Sequence, residues 1–132
     1  MPKETGLGVT TFSWDDSGTN VRTILNDFTT FSFDTPRALQ DTTGLDKSAM
    51  ERLQLLADFT VSGTTVFNDS SNAEHDVFKN LAAERTVTMV HSGQTLANEV
   101  RISSSNLTRS GSGELTRSVS ASLSNGTVPT WS

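Results

Sequence analysis

The sequence predicts a mainly β domain in which a single helix lies on a sheet. Three observations predict it. Phe59, Val61, Thr65 and Phe67, with Gly63 among them, alternate with Asp58, Thr60, Ser62 and Thr64. Successive side chains of a strand point to opposite faces, so one side can enter a core while the other meets water or a polar partner. Hydrophobic residues make up only 33% of the chain, whereas Ser and Thr together reach roughly 29%, far above ordinary usage. Finally, seven Phe and two Trp stand among Thr and Val, a mixture that favours strands and separates the chain from a disordered one.

At 132 residues the chain reads as one domain, residues 1–132, long enough to bury a core. It has no cysteine, so disulfides, thiolate metal sites and thiol nucleophiles are excluded. No apolar run approaches the ~20 residues of a membrane-spanning helix, and no membrane partner is expected. The start, MPKETGLGVTTF, lacks the apolar segment of a signal peptide, so synthesis in a cytoplasm is expected. A net charge of −5 argues against a protein that grips nucleic acid by its phosphates. It is compatible with a surface that nucleic acid passes without sticking.

Taken in order, Met1–Gly8 is expected to be an arm and Val9–Trp14 a strand, closed by a turn at Asp15–Gly18, where Asp and Gly suit tight turns. Val21–Leu25 and Phe28–Phe33 form a strand pair or one bent strand, with Asn26–Asp27 as the kink. Pro36 breaks the pattern because it cannot donate to a ladder, and residues 34–46 are expected to be a loop. Over Asp46–Ala57 two periods compete. Ser48 and Glu51 have capping-box spacing, which predicts a helical turn over Ser48–Arg52. The alternation from Leu53 predicts a strand over Gln54–Phe67. The helix is expected over residues 71–83, with Ser71 and Glu74 as a second capping box and Val77, Phe78 and Leu81 as its apolar stripe. Arg85–His91 and Glu99–Ser103 read as strands. The repeated Leu-Thr-Arg around Ser110–Gly113 predicts a hairpin with Arg109 facing Glu114. Residues 124–132 read as an extended C-terminal segment.

No motif points to catalysis. Asp15 and Asp16 have no further acidic residues at metal-loop spacing. His75 falls on the polar flank of the expected helix and His91 at a strand end. Gly111-Ser112-Gly113 is a hairpin tip, not a nucleophile elbow, and no phosphate-binding glycine loop is present. The Asn-x-Ser/Thr triplets at Asn68, Asn106 and Asn125 are what chance gives in so Ser/Thr-rich a chain. The reading is of a protein that is not an enzyme, with no catalytic residue, no cofactor and no metal.

Several segments, in order, carry a resemblance. TFSWDDSGT, then FSFDTPRALQDTTGLDKSAMERLQLLADFTVSGTTVFND, then HDVFKNL, and at the end GELTRSVSASLSNGTVPTWS are similar to the short tail tube (major tail) proteins of long-tailed, siphovirus-type phages of actinobacteria. The resemblance covers most of the chain. It implies a tail-tube-type β-sandwich or barrel with one flanking α-helix, six copies of which close into a ring. Rings then stack into a tube of the virion tail that conducts DNA during ejection. The partners implied are further copies of the chain, other tail proteins (tape measure, terminator and baseplate) and phage DNA passing without specific binding. On this reading the lumen-facing candidates are Asp58, Thr60, Ser62 and Thr64 with Thr116, Ser118, Ser120 and Ser122. Asp58 would then add a ring of negative charge. Trp131, Pro129, Pro36 and Arg37 are the inter-subunit candidates. Two alternatives stay open: another phage ring protein (terminator, connector or capsid decoration), and a monomeric β-sandwich binding module.

Overall fold

The computed structural model describes residues 3–132, so Met1 and Pro2 of the expected arm lie outside it. Strand accounts for 52% of the chain and helix for 8%, which makes the domain mainly β as expected. The strands are β1 (Val9–Asp15), β2 (Val21–Thr23), β3 (Phe28–Asp34), β4 (Arg37–Asp41), β5 (Arg52–Ala57), β6 (Thr60–Val66), β7 (Arg85–His91), β8 (Gln94–Arg109) and β9 (Leu115–Leu123), with helix α1 (Glu74–Phe78) between β6 and β7. Seven strands form one antiparallel sheet in the order β2-β1-β7-β8-β9-β6-β3, and β4 and β5 form a separate hairpin.

The large sheet coils on itself. β1 and β3 stand far apart in the strand order, yet the rings of Phe12 and Phe31 stack at 4.4 Å with 11° between their planes. Phe12 also meets Phe28 at 4.8 Å and Phe33 at 5.7 Å. The enclosed core holds Phe12, Trp14, Phe59, Val61, Val87, Leu96, Val100, Val119 and Ala121, with Val77 and Phe78 of α1. Each strand contributes alternate residues because only one of its faces is inside. Gly63 lies on that inner face beneath a ring: a Cβ there would sit 2.5 Å from Phe28 Cε2 and 2.9 Å from the Thr30 carbonyl oxygen. Glycine alone fits at that point.

Several expectations are corrected. The first is the helix over 71–83, which shrinks to Glu74–Phe78 with Ala73 at its N-cap and no side-chain cap. Glu74 points into the core instead of back to Ser71. Beyond Phe78, Arg85 takes the carbonyls of Val77, Asn80 and Ala82, and these carbonyls are then committed to a side chain rather than to further helical turns. Leu81 is left exposed.

The second correction concerns the loop over 34–46, which contains strand β4. β4 pairs with β5, but every one of its side chains is exposed, so no burial period marks it. Third, the helical turn over Ser48–Arg52 does not form. The Thr43 hydroxyl accepts the Glu51 N–H at 2.8 Å, and Glu51 pairs with Lys47 at 3.4 Å. The strand expected over Gln54–Phe67 is two strands in two sheets, divided at Asp58, whose N–H donates to the Pro36 carbonyl at 2.9 Å. Fourth, the final hairpin slips by one residue: Arg109 pairs with Leu115, and the Ser110 N–H bonds the Glu114 carbonyl at 2.9 Å to close the loop.

Candidate functional site

Four adjacent strands, β3, β6, β9 and β8, carry a continuous small polar face. Their registers align it in rows. Asp34, Thr60, Ser122 and Arg101 form the first row, followed by Ser32, Ser62, Ser120 and Ser104, then by Thr30, Thr64, Ser118 and Asn106. Val66, Thr116 and Thr108 end it. The hydroxyls of Ser32 and Ser62 lie 3.0 Å apart. The second and third rows border a shallow depression of about 310 Å³. Seven of the eight lumen-facing candidates, Thr60, Ser62, Thr64, Thr116, Ser118, Ser120 and Ser122, share this face. Asp58 lies two positions before the start of β6, exposed at the base of the β4–β5 hairpin, where its carboxylate accepts the Phe59 N–H at 2.7 Å.

The contribution of β3 and β8 to the face escaped the sequence reading. Its signal was present in Ser104, Asn106 and Thr108, which alternate on β8. A bulge hides their phase from Arg101, because the register shifts between Ile102 and Ser104.

Both sides of this four-stranded block are open. β3 is the last strand of the sheet, with β6 on one side only. β8 is paired to β7 from Gln94 to Val100, and beyond that point only β9 accompanies it. The first part of β8 is covered on its other side by the C-terminal segment. There the Ser124 N–H reaches the Glu99 carbonyl at 3.0 Å, and Thr95 and Ser132 exchange backbone bonds of 2.8 and 2.9 Å. Because all the pairings are antiparallel, the two open edges run in opposite directions.

Behind the face, buried polar groups tie the sheet to the segment around α1. Glu74 is fully buried and Arg117 is 6% exposed; Arg117 Nε lies 2.9 Å from Glu74 Oε2. Thr65 Oγ1 and the Asn68 N–H donate to Glu74 at 3.2 and 3.1 Å. The guanidinium further donates to Ser105 Oγ at 2.8 Å and meets His75 Nδ1 at 2.9 Å. Arg85, fully buried, donates to carbonyls of β1, of Val77 in α1 and of Asn80 and Ala82 after it, and burial pulls its pKa below the ordinary arginine value. At the β1–β2 turn the Asp16 carboxylate accepts the N–H groups of Asn20 and Gly18 and contacts Arg22 at 3.2 Å. These bonds, that from Asn20 foremost, hold its pKa below the usual carboxylate value, whereas burial pushes that of neighbouring Asp15 up.

The inter-subunit candidates lie in two places. Pro36 and Arg37 are exposed at the base of the β4–β5 hairpin, with Arg37 Nε donating to the Leu55 carbonyl at 3.1 Å. Trp131 is 46% exposed and, near Pro129, borders a cavity of about 640 Å³ with Val9, Phe31 and Met89. Glu4 stands at the rim of this cavity, bonded to Ser92 Oγ at 2.8 Å and to His91 Nε2 at 3.2 Å. The acid sits between serine and histidine, which is not the order that activates a nucleophile. Among the described residues no group of three or more His, Asp or Glu could hold a metal ion.

Coiled antiparallel sheet, hydroxyl face and separate hairpin together describe a mainly β domain whose fold recurs in solved structures. Two solved structures carry that comparison. The chain resembles one in the virion of a native gene transfer agent particle, with a TM-score of 0.71 and 17% identity over 98% of this chain and 99% of that one. It also resembles one in the tail of an empty gene transfer agent particle computed with helical refinement in C6 symmetry, with a TM-score of 0.71 and 18% identity over 98% of each chain. No protein-family model matches the chain, and no curated protein is significantly similar to it.

Proposed function

We propose that the chain is the tube subunit of a phage-like tail, six copies closing into a ring and rings stacking into a tube whose lumen conducts DNA into the host. The observation that carries this reading is the four-stranded block with an open edge on each side. An exposed edge is an aggregation hazard that a closed barrel removes, and a block of alternating antiparallel strands can repeat without a break around a ring. The small polar face then lines the channel, where short hydroxyls offer phosphates no strong hold. The fold shared with a chain of a C6 tail supports the sixfold symmetry. The β4–β5 hairpin, Pro36, Arg37 and the segment around Pro129 and Trp131 are the contacts between copies. Tape measure, terminator and baseplate proteins are the further partners, the virion tail is the place of action, and the host cytoplasm is the place of synthesis. Negative-stain microscopy of the purified protein at rising concentration tests the reading: rings and stacked tubes are expected. A particle that stays monomeric at every concentration, and is absent from the tails of its virion, overturns it.

A further inference from the structure

The polar face carries two charges in its rows, and both stand at its open edges. Asp34 ends β3, Arg101 begins the open part of β8, and they occupy the two ends of one row, Asp34–Thr60–Ser122–Arg101. Both are exposed. Neither side chain makes a hydrogen bond or ion pair among the described residues, although every other position of that row bears a hydroxyl. Opposite charges placed at opposite edges of one repeating block are complementary to a second copy of the same chain.

We infer that Asp34 of one copy meets Arg101 of the next across the ring seam, and that this pair sets the register in which the rings close. The inference rests on the ring reading above and adds to it a residue-level latch. The lengths of the open edges lead to the same register. β7 leaves β8 at the Arg85–Val100 pair, so β3 of a neighbour cannot extend past Arg101 without displacing β7. β3 spans Phe28–Asp34 and the open part of β8 spans residues 101–109, each with one residue in a bulge. Running antiparallel, with the two bulges offsetting each other, the edges overlap fully when Asp34 reaches Arg101 and Phe28 reaches Leu107. A slip by one residue would turn the polar face of one copy inward against its neighbour. Each slip by two keeps the faces aligned but shortens the pairing and separates the charges. An opposite-charge pair at the end of the overlap therefore favours one register among those that the faces allow. It also leaves that row of the channel without net charge.

Charge reversal tests the latch. Asp34→Lys and Arg101→Glu each place like charges at every seam, and the double variant restores opposite ones. Pelletable polymer and ring images are compared with wild type at one protein concentration and low salt. Each single reversal is expected to lower polymer by about a hundredfold, since the effect multiplies over the seams of a ring, and the double variant to recover most of it. Melting temperatures of the unassembled chains should match wild type, because neither side chain has a partner within its own copy. Single variants that polymerise like wild type overturn the latch and leave the ring reading standing. So does a double variant that is folded but no better than the single ones. A wild-type chain that forms no rings at all overturns the ring reading, and the latch with it.

Discussion

Arg117 and Glu74 are the residues on which the polar interior depends. With both nearly or fully buried, removing one leaves the other charged and desolvated. Arg117→Met is expected to cost about 3–5 kcal/mol in denaturant unfolding, while Arg117→Met combined with Glu74→Leu should recover much of that loss. Double-variant stability no better than the single would show that Arg117 matters for its other bonds instead. The neighbouring aspartates of the β1–β2 turn make a second residue-scale prediction, with opposite signs. Asp16 has a folded pKa below its ordinary 3.8, so its stabilisation is present above that pH and is lost as pH falls through the folded value. Asp15 has a raised one, so its contribution is present at low pH and is lost as pH rises through the raised value. At pH 7 Asp16→Asn should therefore lower the melting temperature, by roughly 3–6 °C, and Asp15→Asn should raise it. Both differences should shrink near pH 3. The spacing of Ser71 and Glu74 was legible as a capping box, yet the partner that claims Glu74 lies on β9, far along the chain. A local pattern carries no information about a competitor of that kind.

At the scale of the element, the β4–β5 hairpin is the piece with least support of its own. Leu39, Leu53, Leu55 and Leu56 on its strands are exposed, as are Leu45 and Met50 in its loop, and an isolated two-stranded hairpin is marginal in water. Replacing residues 38–56 by a short Gly-Ser linker should leave the melting temperature of the unassembled chain within a few degrees of wild type and abolish tubes. Tubes that persist after the excision would remove the hairpin from the assembly interface. The fold was legible wherever burial imposed a period: β1, β3, β6, β7 and β9 all put alternate apolar residues inward. It was not legible in β4, where neither face is covered within one chain and the strand reads as loop. The length of β8 was hidden for a related reason: only its first part, through Ile102, has a buried face, and the stretch from there to the Leu107–Arg109 hairpin arm looks like a polar linker.

For the whole molecule, the four-stranded polar face is the surface whose role is most directly testable. Its positions on β6 and β9 were legible from period-2 alternation alone. What aligned them into rows was the register between strands, which no single stretch contains. Thr60→Lys with Ser62→Lys should still assemble, since both side chains lie on the wet face, but phages carrying the pair should eject DNA slowly or incompletely. Each added cation gives the passing phosphates a contact that releases counterions. Normal ejection from particles shown to carry both lysines would assign the face to the outside of the tail.

The divided character of β8 has one more consequence. Over Thr95–Val100 the strand is paired with β7 throughout and is met on its other side by Ser132 at Thr95, Ser124 at Glu99 and β9 at Val100. Over Ser104–Arg109 it has β9 alone. Backbone N–H groups of an antiparallel strand point alternately to either side, so along the outer part every second amide is left without an acceptor. In deuterated buffer the isolated chain should take up label there in a stripe, fast and slow positions alternating. Seam formation converts the fast set to slow and leaves the slow set unchanged. Isotope uptake along one strand therefore counts closed seams directly, in the unaltered protein.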